Sequence, residues 1–326
     1  MLGVVSSLIL ALHLLCMNLA SAAPVLAVWL DRPRKSRIDT LPDIRGAVSY
    51  LAQLAIGGLS GGALLGLLLG CFRWSDPYHA VLSQFTPRIY WGVWELLFSA
   101  VLLFVYAAWV RSRPQASRAG WLLRSLVALI ATTNLLYHFP PLFSMIAGVA
   151  AGHLRLDSAI DSTAFRRLLA DGAVLSVSVH FAVASFAVAG TALLLRTRAT
   201  GDDARATASA GVWGGRVALA ATLLQIPVGL WMVVALAPSV QQRLMGNDPV
   251  AASLLIAAVL AMFWLLHVLA AAAFGDTSAT TRRQAFLALV TVVVLMVGVL
   301  ERTKVVPLPV RAHGISPAAA PRAEWE

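Results

Sequence analysis

Glu95 is the only glutamate before Glu301, and it sits in the middle of the apolar run "RIYWGVWELLFSAVLLFVYAAWV" (88–110). An ionisable side chain in a bilayer costs several kcal/mol unless it is paired, protonated or used, so this carboxylate should face the protein interior and serve a function there. Four of the seven histidines, His13, His138, His180 and His267, also fall inside apolar runs. A neutral imidazole carries protons and ligates transition metals, haem iron among them. These carboxylates and imidazoles are the residues with which the chain could do chemistry.

Their spacing suggests a grouping. His180, in "AVLSVSVHFAVASFAVAG", has Ser176 and Ala184 four residues to either side, which leaves one face small enough for a flat ligand. It is expected about 18 Å from the outer end of its helix, and Met262 in "AVLAMFWLLH" at a similar depth, so a His/Met pair could hold one low-spin haem b. His267, roughly 8 Å further along the same helix, is the rival second ligand. His13 is expected about 15 Å deep, with Cys16 and Met17 on its face, and Glu95 about 9 Å deep. Glu301 ends the last helix on that side. This outer group could ligate a high-spin haem, carry protons, or pair with arginines such as Arg302. His138 precedes Pro140 and Pro141, and Gln225 precedes Pro227; both stretches should break a helix and free backbone carbonyls.

Composition dictates the elements that must position these groups. With 12% charged residues and a mean hydropathy of +0.80, the chain is not a soluble globular domain, where about a quarter of residues are charged. A spanning helix needs about 20 apolar residues. Eight runs qualify: 3–30, 47–71, 89–110, 120–149, 168–195, 214–236, 250–274 and 284–300. The expected fold is therefore an all-α, polytopic bundle of eight transmembrane helices over 1–302, followed by a disordered tail, 303–326. Alternate connections hold fifteen lysines and arginines on one side, against six on the other before the tail and ten with it, which places both termini outside. "LASAAPV" has the small residues of a cleavage site, but the apolar run continues to the basic "RPRKSR", as in a retained first helix. Cys16 and Cys71 form no C-x-x-C motif. The +10 charge falls between apolar runs without interleaved aromatics, so it orients the chain and does not point to nucleic acid.

The order of these features resembles the haem-bearing subunit I of cytochrome bd-type quinol oxidases. His13, Glu95, His180, Met262 and Glu301 fall where that family has an early high-spin haem histidine, a third-helix glutamate at the haem d site, the histidine and methionine of a low-spin haem b, and a late acidic residue. "AVSYLAQLAIGGLSGG" and "GGRVALAATLLQ" followed by "LMGND" are similar to its second and sixth helices. The resemblance implies one low-spin haem b, a second haem of high-spin b or d type, a bacterial inner membrane and further membrane subunits. Two departures argue against quinol oxidation. Only Ala237–Pro249 stands where the family has its long quinol loop, and "VGVLERTKVVPLP" replaces its Gly-Arg-Gln-Pro signature. Electrons would then come from an outside redox protein, such as a periplasmic c-type cytochrome. The competing expectations are a small-solute or ion transporter built on Glu95 and the broken fourth and sixth helices, and a cofactor-free structural subunit.

Overall fold

The computed structural model describes residues 2–33, 42–72, 81–113, 117–150, 154, 161–196 and 204–303. The tail beyond Thr303 and the basic residues Arg34, Lys35 and Arg37 lie outside these. Among the described residues there is no strand, and eight helices are long and apolar enough to span a membrane. They are α1 (Leu2–Leu30), α2 (Pro42–Phe72), α3 (Thr86–Ser112), α4 (Arg118–Ala150), α6 (Gly172–Leu195), α7 (Ala204–Ala235), α9 (Pro249–Ala273) and α10 (Ala279–Thr303). Two short helices, α5 (Ser162–Leu169) and α8 (Pro238–Gln242), lie in the connections. The chain is a multi-pass membrane protein.

One boundary differs from expectation. The apolar run 168–195 is divided, because Asp171 caps α6 by accepting from Ala173 N–H, while Asp161 caps α5 by accepting from Thr163 and Ala164 N–H. Each carboxylate satisfies backbone donors that a helix start leaves without partners. The spanning part of the fifth run therefore begins at Gly172.

Side-chain size is sorted by environment. Lipid tails are as apolar as leucine, so helices associate through close packing and not through hydrophobic burial. Accordingly the seams are lined with Ala20, Ala23, Ala27, Ala47, Ala55, Ala128 and Ala189, all fully buried, while Leu67, Trp94, Phe104, Leu230 and Leu260 point outward. Sequential helices pair most extensively, α1 with α2, α3 with α4, α6 with α7 and α9 with α10. At two seams only glycine fits. A Cβ on Gly58 of α2 would come within 2.5 Å of the Cys16 carbonyl oxygen, and one on Gly190 of α6 within 2.7 Å of the Gly214 carbonyl oxygen of α7. Helix α1 also packs on α4, α6 and α10, which puts it in the middle of the bundle.

Polar contacts at the helix ends fix the register of these seams. On the face rich in arginine, Arg124 of α4 is 1% exposed; it donates to Asp31 at the end of α1 (3.0 Å) and to the Arg113 carbonyl, with Trp109 beneath its guanidinium. Trp121 donates to the Val28 carbonyl beside it (3.1 Å). Helix α9 ends with Gly275 at φ 117°, the Asp276 N–H reaching back to the Ala271 carbonyl and the Gly275 N–H to the Ala272 carbonyl. A β-carbon is costly at that φ. On the opposite face, Asp248 caps α9 and takes a forked contact from Arg302 at the end of α10 (3.2 and 3.1 Å).

Candidate functional site

The polar groups inside the bundle occupy three inter-helix seams. On the α1–α2 seam, His13 Nδ1 lies 2.8 Å from the Gly62 carbonyl oxygen. A carbonyl only accepts, so Nδ1 carries the proton and the lone pair of the neutral ring lies on Nε2. The ring rests against α2 at Gly66, where a Cβ would stand 3.1 Å from Cε1. Met17 and Cys16 lie against Gly62 and Gly61 of the same glycine face.

On the α3–α4 seam, Glu95 Oε1 is 4.0 Å from His138 Nε2, with the two side chains 28% and 38% exposed. Asn134 Nδ2, one turn before His138, donates to the Glu95 carbonyl and to Ser99 Oγ, both at 2.9 Å, and so holds the two helices in register around the pair. Tyr137 packs edge-on to the His138 ring. Pro140 and Pro141, two and three residues after His138, withhold N–H donors from the Leu136 and Tyr137 carbonyls, but α4 runs through them to Ala150 without the expected break, as α7 runs through Pro227. The partner of Glu95 is thus an imidazole. Arg302 makes its contact with Asp248, and Glu301 lies part-buried at the end of α10.

On the α6–α7 seam, Gln225 Nε2 donates to the His180 carbonyl (3.2 Å). Two atoms of this same residue pair, His180 Nδ1 and Gln225 Oε1, are buried without a hydrogen-bond partner. Ser176, one turn before His180, is fully buried, and Ser185 donates to Asn18 of α1 (2.8 Å), which ties this seam to the bundle centre.

Counting from each helix end on the face that carries Leu2 and Thr303, His180 lies about 12 Å in, Glu95 about 14 Å, Gln225 about 15 Å, His13 about 17 Å and His138 about 18 Å. All five are in one half of the bundle. Met262 lies about 20 Å in, on a helix that packs on α7 and α10, and is part-buried. The later start of α6 shortens the count from helix end to His180 relative to the expected run. His267 is exposed on the outer face of α9, its ring 5.8 Å from that of Trp264.

Neutral imidazoles in apolar seams suit haem iron, and on donor chemistry His13 and His180 fit that role. His13 has its proton fixed on Nδ1, and His180 is a buried imidazole whose Nδ1 makes no hydrogen bond, so that either ring nitrogen is chemically suited to a metal. Among the described residues no group of three or more His, Cys, Asp or Glu side chains is placed to hold a bare metal ion. Of the expected outer group, Glu95 shares the α3–α4 seam with His138, His13 lies on the α1–α2 seam, and Glu301 ends α10. Sequence reasoning singled out neither Asn134 nor Asn18; a lone amide in an apolar run was the available signal for both. No protein-family model and no curated protein matches this sequence.

Proposed function

We propose that the chain is a haem-bearing redox subunit of a bacterial cytoplasmic membrane, similar in role to the haem subunit of cytochrome bd-type oxidases, with His180 and His13 as iron ligands. The observation that carries this reading is the contact of His13 Nδ1 with the Gly62 carbonyl. A second-shell acceptor of this kind orients an imidazole and raises the basicity of the nitrogen that meets a metal. A bound haem supplies one-electron transfer and a place for a small ligand. The protein holds and orients it, keeps water from the seams, and through Glu95 and His138 offers an acid and a base within 4.0 Å for moving a proton. Met262 is proposed as the second ligand of His180, with His267 as its rival. The compact elbow of α8 and the turn to Asp248 fills the connection after α7, so the electron donor is proposed to be a protein on the outer face, with further membrane subunits completing the assembly.

The test is the visible spectrum of the purified protein, oxidised and dithionite-reduced, with haem quantified per chain. A reduced low-spin haem b band that disappears in His180→Ala supports the reading. Met262→Leu should shift that band or render it high-spin; the same effect from His267→Ala would transfer the axial role to His267. Haem-free protein would overturn the proposal. One observation favours a transporter instead: Glu95 and His138 meet beside the two prolines of α4, where the Leu136 and Tyr137 carbonyls lack helical donors and could line a path for a solute or ion. Uptake into proteoliposomes that is lost in Glu95→Gln, from protein without haem, would establish that alternative.

A further inference from the structure

Gln225 has a polar head that the fold uses only in part. Its Nε2 is committed to the His180 carbonyl, whereas its Oε1 is buried and without a partner. The ring of the residue it touches has the same defect at Nδ1. Burying such a group without a partner is costly, and native proteins leave few of them. Here the two are complementary, since an amide oxygen can only accept and a neutral imidazole nitrogen can carry the proton it needs. They belong to two residues already hydrogen-bonded across one seam. Each is thus a chemically matched partner for the other, to be joined by a small shift of the amide or through one bridging water.

We infer that Gln225 is the positioning residue for His180: its Oε1 takes the proton of His180 Nδ1, directly or through a water, and leaves the Nε2 lone pair for a ligand. This gives His180 the arrangement that the Gly62 carbonyl gives His13, with the acceptor supplied by a side chain of α7. The assignment of Nδ1–H stands on the buried atoms alone; its meaning for iron rests on the haem reading. Two further features of the seam suit the role. Pro227, two residues beyond Gln225, withholds an N–H from the Leu223 carbonyl and loosens α7 at this level. Ser176 donates to the Ala173 carbonyl, so its hydroxyl proton is spent within its own helix.

The experiment is ¹⁵N NMR of full-length, histidine-labelled protein, reduced and saturated with CO so that any high-spin haem is also diamagnetic, with the His180 signals assigned by their loss in His180→Gln. The expected result is protonated Nδ1 and unprotonated Nε2 in the wild type. Gln225→Met, which removes the acceptor while keeping the length of the side chain, should abolish that preference. Gln225→Glu, which keeps an acceptor oxygen, should restore it. Haem content is measured on the same samples, and Gln225→Met should weaken haem retention about tenfold or more, with Gln225→Glu recovering most of it. Protonated Nε2 in the wild type, or an unchanged His180 spectrum in Gln225→Met, would overturn the inference. The expected NMR pattern in protein without haem would uphold the role of Gln225 and refute the haem reading instead. If Gln225→Met fails to fold, the wild-type tautomer alone decides.

Discussion

The crossing of α6 and α7 gives the sharpest quantitative test. A methyl group added at Gly190 would stand 2.7 Å from the Gly214 carbonyl oxygen and 2.8 Å from the Ala218 nitrogen, both backbone atoms that cannot rotate away. Ordinary contact begins near 3.4 Å, so Gly190→Ala must part the helices by about 0.7 Å, the difference between 3.4 and 2.7. A gap of that size forfeits about a quarter to a half of each atomic contact at the crossing, and overpacked sites of this kind typically lose about 1–3 kcal/mol. Alanine returns up to about 1 kcal/mol through helix propensity, leaving a net loss of roughly 1–2 kcal/mol. Gly229, on the partner helix α7, has nothing within 4 Å of its would-be Cβ, so Gly229→Ala should be neutral or slightly stabilising. A methyl at Gly214 would meet the Gly190 carbonyl oxygen, again at 2.7 Å, so the seam needs to widen only once for both. The double variant Gly190→Ala/Gly214→Ala should therefore cost clearly less than the sum of the two singles. Reversible unfolding in mixed micelles measures all four. Equal stability of Gly190→Ala and Gly229→Ala, or strict additivity at the crossing, would refute the packing argument.

Arg124→Leu should destabilise the protein by about 3–5 kcal/mol by stranding the Asp31 carboxylate, with Arg124→Leu/Asp31→Leu recovering much of the loss; thermal unfolding of the three proteins checks this. The Thr281 hydroxyl and then the Ser278 N–H hold the Asp276 carboxyl below its ordinary value of 3.8. The stabilisation is full above 3.8 and is lost as pH falls through the lowered folded value, so acid should open the α9–α10 turn; Asp276→Asn should open it at neutral pH and remove the acid response in amide hydrogen exchange. Glu95→Gln should leave the His180 haem present while altering the reduced-plus-CO difference spectrum of a second, high-spin haem; an unchanged spectrum and haem stoichiometry would reduce Glu95 to a packing residue. Reporter fusions after Glu326 and within 196–216 should give opposite sides, with the C-terminus outside; the same side for both would undo the topology drawn from lysine and arginine counts.

The eight spans were legible because hydrophobic length alone specifies them, and a bilayer admits few other solutions. The start of α6 was missed because "LLADGAVL" is apolar enough to bridge a break that two aspartate caps impose. That error of a few residues lengthened the count from helix end to His180. The isolation of Glu95 was plain in the sequence, but its pairing with His138 depends on how α3 turns against α4, which no spacing along the chain encodes. Arg124 was read as one of several charges marking a side. Its burial follows from Asp31 lying at the end of a helix that packs on α4, again a property of the packed helices and not of the run.

The ion pair between Asp31 and Arg124 joins residues 93 positions apart, and this bears on how the protein is made. At roughly 5–20 residues per second, synthesis leaves Asp31 without its guanidinium for roughly 5 to 20 s after it emerges. During that interval α1 can already seat against α2 through their glycine face, because that contact needs no later helix. Ser185, 167 positions after Asn18, reaches it later still. The first helix thus serves as a template on which later ones arrive in chain order, and a ribosome that stalls before α4 would leave an unfinished hairpin with a bare carboxylate at the membrane surface, a mark by which quality-control proteases could recognise it.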